Sequence, residues 1–363
     1  MAPIRTALAG VGLSGQVFQA PMILSLPDLF ELHTVIERNP KTPRGVIGDK
    51  FNIQPKIARS VEEALQDPEV ELLVVGTPTH THFAIAKAAL EAGKHVLVDK
   101  PVTATHAEAL ELGALAKSKN LVLYGFQNRR WDSDYLTLGK VLQSGRLGTV
   151  TDFESHFDRY SPALKGTWKD LDHPGNGWTY DLGAHLIDQA LQLFGRPEKL
   201  TAFLSNIRRV GNPAFTIHLH YPSKEDHPLT VILRGHSLTV RKPQLRYIVR
   251  GTKGTFVKYG VDVQEDQLKA GITTQDPQFA WEPSDIAATL EVLEEDGKTV
   301  TSQQLSSERG NYKGLYENLG RAIRNGEPLT VKWDEASQVI ELIELARRSS
   351  VQGSTLEVPK SQN

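Results

Sequence analysis

Gly10-Val11-Gly12-Leu13-Ser14-Gly15 follows the apolar run Ile4-Arg5-Thr6-Ala7-Leu8-Ala9, so a short strand leads into G-x-G-x-x-G and a helical pattern. Glycines at that spacing let the backbone approach a dinucleotide pyrophosphate, with the first N–H groups of the helix turned toward the anion. Gly10, Gly12, Leu13, Ser14 and Gly15 are therefore candidate cofactor-binding residues. Alone, such glycines serve a dehydrogenase, a flavoprotein or a binding module equally well. The stretch Tyr180-Asp181-Leu182-Gly183-Ala184-His185-Leu186-Ile187-Asp188 carries a second chemistry. Asp181 and His185 are four apart and Asp188 is three further on, which puts all of them on one helical face. An imidazole flanked by carboxylates has its tautomer fixed and its basicity raised, as a proton acceptor requires. The same spacing also fits an ordinary, partly buried histidine where a helix meets a sheet.

Between these lie further candidates. In Ile36-Glu37-Arg38-Asn39-Pro40-Lys41 an acid suits the adenosine ribose hydroxyls of NAD, whereas an arginine suits the 2′-phosphate of NADP. Arg38, Lys41 and Arg44 form a cationic cluster that would be idle against NAD, so the balance favours NADP, with Glu37 on the ribose of NAD as the alternative. Gly76-Thr77-Pro78-Thr79-His80-Thr81-His82 follows an apolar run, where ligands of open parallel sheets sit. Thr77 and Pro78 suit the nicotinamide-side ribose, and His80 or His82 is either a cofactor contact or a residue of the first helical turn. Asp99-Lys100-Pro101 ends another apolar run, and a lysine there can hold a ribose hydroxyl and a substrate oxygen, stabilising a developing alkoxide.

The elements that must position these residues are legible as periodicities. Runs at 4–9, 32–36, 72–75, 95–98 and 121–124 are short, continuous and apolar, as parallel strands covered on both faces are. Helical patterns alternate with them. Capping boxes stand at Ser60-Val61-Glu62-Glu63 and Thr105-His106-Ala107-Glu108, and Gly93 ends the helix that starts near Thr81. The sequence thus predicts an N-terminal doubly wound parallel sheet of the Rossmann type over residues 1–125. From about residue 145 the pattern alternates with period two, at 149–158, 200–206, 215–221, 229–235, 245–250 and 255–259. That predicts an α/β domain over 126–363 with a large, mainly antiparallel, open-faced sheet. Helix 181–194 covers one face; the opposite, mixed face carries His156, His218 and His220, which read as surface polar residues rather than as a metal site. The open face predicts a homodimer or higher homo-oligomer, and amphipathic helix 334–348 is expected to pack back near the first domain.

Composition bounds the rest. There are 363 residues, 41 basic and 43 acidic, for a net charge of −2, which points to neither nucleic acid nor an anionic membrane surface. The absence of cysteine excludes disulfides, thiol nucleophiles and thiolate metal sites, and fits a reducing compartment. No apolar run has the length of a membrane span, and the N-terminus enters the first strand at once, so a cytoplasmic protein is expected.

The glycine turn, Asp99-Lys100-Pro101, Asn128-Arg129-Arg130-Trp131-Asp132 and Asp181-x-Gly183-x-His185-x-x-Asp188, in that order, resemble the Gfo/Idh/MocA oxidoreductases. The Asn-Arg-Arg-Trp-Asp run and Tyr259-Gly260-Val261-Asp262-Val263-Gln264-Glu265-Asp266 are similar to the family's NADP-dependent scyllo-inositol dehydrogenase branch. The resemblance implies a Rossmann domain, an α/β domain whose open sheet mediates dimerisation, and Lys100, Asp181 and His185 as the catalytic group. The family's usual Glu-Lys-Pro is Asp-Lys-Pro here, which keeps the lysine; the resemblance also points to a cis bond at 100–101.

The reaction expected is reversible hydride transfer between a nicotinamide, NADP in preference to NAD, and a carbinol carbon of a sugar or cyclic polyol. Asn128 joins the cofactor-binding candidates, and Arg129, Arg159, Tyr160, Trp168 and Tyr180 are candidates for the substrate pocket, because aromatic faces meet C–H surfaces and polar groups meet hydroxyls. The rival reading is a non-catalytic dinucleotide sensor of the same fold, which would have little need of Lys100 and His185 together.

Overall fold

The computed structural model describes residues 2–164, 166, 175–207, 214–222 and 227–360. It divides into two units. The first comprises Met1–Trp131, Gln264–Ala280 and Asn311–Ile340; the second comprises Asp132–Val263, Trp281–Gly310 and Glu341–Asn363.

In the first unit, β1 (Ile4–Ala9), α1 (Ala20–Leu24), β2 (Phe30–Ile36), α2 (Gly45–Phe51), β3 (Lys56–Ala58) and α3 (Val61–Gln66) follow in order. They are succeeded by β4 (Leu72–Val75), α4 (His82–Glu91), β5 (His95–Val98), α5 (His106–Ser118) and β6 (Leu123–Gly125). The strands form a 6-stranded parallel sheet in the order β3-β2-β1-β4-β5-β6. Its central strands read as continuous apolar runs because helices cover both faces: Leu72, Leu73, Val74 and Val75 are all fully buried. The order reverses between β1 and β4, and such a reversal opens a crevice at the carboxyl ends of the strands. The three-residue β3 escaped the sequence reading because so short an edge strand has no periodicity to detect. The Thr105–Glu108 capping box is complete. At α3 the Ser60 hydroxyl accepts from Glu63 N, but the Glu63 carboxylate reaches Arg59 N instead of the serine backbone.

The second unit opens with α6 (Ser133–Gln143), β7 (Val150–His156) and α7 (Ala184–Phe194). Then come β8 (Lys199–Ser205), β9 (Ala214–His220), β10 (Thr230–His236), β11 (Leu245–Gly251) and β12 (Gly254–Tyr259). Helix α8 (Gln264–Lys269) returns to the first unit, after which β13 (Ala288–Leu293) and β14 (Val300–Leu305) extend the second sheet. Helix α9 (Lys313–Asn325) is again in the first unit; α10 (Trp333–Gln352) is shared between the two, and β15 (Leu356–Glu357) closes the chain. The 9-stranded sheet has the order β14-β13-β12-β11-β7-β10-β9-β8-β15, mostly antiparallel, with β7 and β10 parallel. Phe153, Phe215, Ile217, Leu219, Val231, Leu233 and Val249 point to one face and are buried, as are the inward residues of α7 from Ala184 to Leu191.

The opposite face carries the register row Thr201–His218–Ile232–Glu154–Ile248–Val257, with Phe203 one step along at 60% exposure. His218 and His220 lie on β9, separated by β10 from His156 on β7. His156 departs from the surface reading: it is buried, its Nε2 3.3 Å from the Glu154 carboxylate. The sequence reading also missed β13 and β14, and in β14 the reason is plain. Five of its six residues are exposed, so no apolar face sets an alternation. No helix among the described residues is long and apolar enough to cross a membrane.

Candidate active site

At the carboxyl end of β1 the three motif glycines answer to different demands. Gly10 has φ +112°, and a Cβ there would lie 2.4 Å from the carbonyl oxygen of Gly76. A Cβ on Gly15 would lie 2.0 Å from the carbonyl oxygen of Gly10. Both are required by the fold, since a side chain would collide with backbone. Gly12 meets nothing within 4 Å, so no neighbouring atom of the chain requires a glycine there. A turn kept bare over an exposed space at a strand-order reversal fits the close approach of a pyrophosphate. Leu13 beside it is 52% exposed. Ser14–Gln19 then forms a π-helical turn, closed by Ala20 N donating to Gly15 O.

Glu37 and Arg38 separate sharply. Glu37 is buried, and its Oε2 accepts from Val46 N at 2.8 Å, in the first turn of α2. The approach is so close that a Cβ on Gly45 would sit 2.4 Å from that oxygen. The carboxylate therefore serves the exposed N–H groups at the start of a helix, where a negative charge is favoured. Arg38 and Lys41 remain exposed. The cationic cluster read from sequence loses Arg44, whose guanidinium is engaged by Asp49 Oδ1 at 3.1 Å and Asn52 Oδ1 at 2.9 Å.

At the ends of β4 and β5 two loops are tied together by one side chain. His82 is 1% exposed, with Nδ1 3.0 Å from Pro101 O and Nε2 2.8 Å from Thr77 O. The structure thus gives His82 a role between backbones in place of the cofactor contact considered from sequence: both ring nitrogens face carbonyls of the chain. Burial lowers its pKa, outweighing the opposing pull of Asp99 and of the carbonyls. The same histidine holds Thr77, whose hydroxyl is 2.7 Å from that of Thr81; Pro78 O accepts from the Thr81 hydroxyl, and His80 lies in the short 3₁₀ turn Thr79–Thr81. Asp99 Oδ1 accepts from Lys100 N at 2.7 Å, and the Lys100–Pro101 bond is cis. Lys100 itself is half-buried.

Asn128 and Arg129 follow β6 in a 3₁₀ turn, and both are buried. Arg129 has its Nη2 2.5 Å from Glu265 Oε2 of α8, an ion pair that clamps two segments of the first unit. In the second unit, Thr179–Gly183 forms another π-helical turn that runs into α7, a feature frequent at functional positions. Tyr180 is buried with the Arg347 guanidinium 5.8 Å over its ring. Asp181 is partly exposed. His185 and Asp188 are 3% and 2% exposed. The His185 ring lies 6.2 Å from the Phe157 ring, which also carries the Arg159 guanidinium at 5.8 Å. Tyr160 is 57% exposed, and Trp168 lies outside the described residues.

The sequence reading missed what stands behind His185. Arg246 is completely buried, its Nε 2.9 Å from Asp134 Oδ2, and its guanidinium stacks on Phe157 at 4.8 Å. Its Nη2 donates to Gln189 Oε1, one helical turn beyond His185 on α7. Strict alternation would put residue 246 on the open face with Ile248. A register shift between Leu245 and Tyr247 turns it inward, and nothing in the local sequence signals that bulge.

These halves match known proteins throughout. Residues 4–126 match the NAD-binding Rossmann fold of the GFO/IDH/MocA oxidoreductase family, and residues 140–358 match its C-terminal alpha/beta domain. An uncharacterized oxidoreductase of Schizosaccharomyces pombe is 40% identical, with 100% of each chain covered. The NADP(+) scyllo-inositol 2-dehydrogenase IolW of Bacillus subtilis is 32% identical over 97% of this chain and 95% of its own. Among solved structures, the oxidoreductase yvaA of Bacillus subtilis superposes with a TM-score of 0.91 at 31% identity, covering 99% of both chains. The first unit thus carries the NAD-binding Rossmann fold of an oxidoreductase, and the chain belongs to the Gfo/Idh/MocA family.

Proposed function

We propose that this oxidoreductase prefers NADP and moves a hydride between the nicotinamide and a carbinol or carbonyl carbon of a sugar or cyclic polyol. The observation that carries the reading is the placement of Lys100: it follows β5, one strand from the β1/β4 reversal where Gly12 keeps space open. A cation there supports the substrate oxygen as charge develops on it and binds a ribose hydroxyl. Bound nicotinamide supplies the hydride acceptor or donor. His185 takes the hydroxyl proton in the oxidative direction, and Asp181 orients the imidazole and steadies its charge. Arg129, Arg159, Tyr160, Trp168 and Tyr180 are the substrate-contact candidates.

NADP preference is supported by the commitment of Glu37 to α2, which leaves Arg38 and Lys41 as exposed cations after β2. It is also in keeping with the NADP(+) named for IolW, and the inositol named there supports the polyol class. A homodimer formed through the open sheet face, acting in the cytoplasm, completes the proposal.

The test is turnover of NADPH and NADH against inosose, aldose and small carbonyl substrates. Wild type is expected to reduce at least one polyol-derived ketone or aldose. Lys100→Met and His185→Ala are each expected to lower kcat by about 10²–10⁴-fold. Arg38→Ala is expected to raise KM for NADPH far more than for NADH. Tight NADPH binding with no turnover across the panel would replace catalysis by a sensing role.

A further inference from the structure

The glycine turn is braced from a residue far along the chain. Tyr316 of α9 is fully buried, with its ring edge-on to Phe30 at 5.6 Å and to Phe126 at 6.3 Å. Its hydroxyl donates to Gln19 Oε1 across a sequence separation of 297 residues. Gln19 is also fully buried and closes the π-helical turn that starts at Ser14. Its Nε2 donates to Ser14 Oγ at 3.2 Å. Burying a tyrosine hydroxyl and a primary amide in an apolar cluster is costly unless each is paired, so the chain of bonds needs a reason.

Direction supplies that reason. A tyrosine hydroxyl that donates to the amide oxygen fixes which end of Gln19 faces Ser14. The amide nitrogen then occupies an acceptor position of the serine oxygen, and the serine's own proton must be donated elsewhere. Burial and the nearby Asp99 both raise the Tyr316 pKa, so its hydroxyl stays protonated and remains the donor that starts the chain. Ser14 belongs to the cradle, where the group to be met is an anion.

We propose that Tyr316 and Gln19 form a buried relay that presents the Ser14 hydroxyl as a donor to the dinucleotide pyrophosphate, making both of them positioning residues for cofactor binding. The inference rests on the assignment of the turn as a dinucleotide cradle. It adds a determinant of affinity from a segment 297 residues further along the chain, which the glycine motif does not contain.

Equilibrium titration of NADPH by fluorescence tests the relay without recourse to turnover, with thermal melting to verify each fold. Ser14→Ala is expected to raise Kd about tenfold and Tyr316→Phe about three- to tenfold, as loss or misdirection of one hydrogen bond to a charged group requires. The double variant is expected to bind like Ser14→Ala alone, because the relay then has nothing to orient. Gln19→Glu presents an acceptor to both neighbours and captures the serine proton, so it is expected to weaken binding at least as much as Tyr316→Phe. Additive losses in the double variant, or wild-type affinity in Gln19→Glu, would overturn the relay. Should Tyr316→Phe melt early, Ser14→Ala and Gln19→Glu decide the matter. Wild type that binds neither NADPH nor NADH would instead remove the cradle assignment itself.

Discussion

The turn at Gly10–Gly15 and the segment Thr179–His185 both lead through a π-helical turn into a helix, yet they are specified in opposite ways. The first is built by exclusion. Gly10 and Gly15 are glycine because backbone atoms stand 2.4 and 2.0 Å from where a Cβ would be. The second is built by support, from side chains gathered off separate elements: Phe157 after β7, Arg246 on β11, Asp134 on α6 and Gln189 on α7. Steric exclusion leaves a mark at the residue itself, whereas support is spread over positions that only the fold brings together.

The contrast can be broken experimentally, and the largest effect should come from the supported region. Asp134→Ala removes the carboxylate bonded to Arg246 at zero exposure, so unfolding free energy is expected to fall by about 3–5 kcal/mol in denaturant titration. NADPH affinity of the folded fraction should be unchanged on the proposed reading, since the Gly10–Gly15 turn belongs to the other unit. A loss of affinity matching that of Gly12→Ala would show that the two regions are not independently specified. Next in size, Gly15→Ala forces a clash with Gly10 O and is expected to cost about 1–3 kcal/mol of stability. Gly12→Ala has room for its methyl and should leave the melting temperature unchanged while weakening NADPH binding. Equal melting losses in the two alanine variants would collapse the distinction between a glycine kept for the chain and one kept for a ligand.

The smallest expected effect is a pH dependence. Burial holds His82 with a pKa below its ordinary 6.5. Below about pH 6.5 the unfolded chain therefore takes up a proton that the folded chain refuses, and stability falls as pH falls. His82→Gln should flatten this part of the stability profile between pH 6.5 and 5, measured by urea unfolding at several pH values. An unchanged slope would assign the acid sensitivity to other groups, His95 among them, whose pKa burial also lowers.

What was legible in the sequence follows the same division. Strands β1, β4 and β5 were bounded correctly because burial on both faces makes each a continuous apolar run. The glycine turn and the Lys100 strand end were legible because each motif sits directly beside such a run. The destination of the Glu37 carboxylate was not, since only the folded chain brings Val46 N into reach. The Arg129–Glu265 ion pair was not legible either, since its partners are separated by 136 residues. Arg246 was hidden by a register shift that no alternation rule predicts.

The discontinuity of the first unit has a consequence for how the protein comes into being. Its apolar core joins Leu8, Phe30 and Phe126 to Leu268, Phe279, Tyr312, Tyr316, Leu319 and Val331. A ribosome therefore releases the whole parallel sheet long before the segments that seal one of its sides exist. During that interval the nascent sheet exposes an oily flank, and chaperone engagement should persist until residues near 340 have emerged. A fragment cut at residue 131, which looks from the motif order like a self-sufficient nucleotide module, would carry that flank permanently and aggregate.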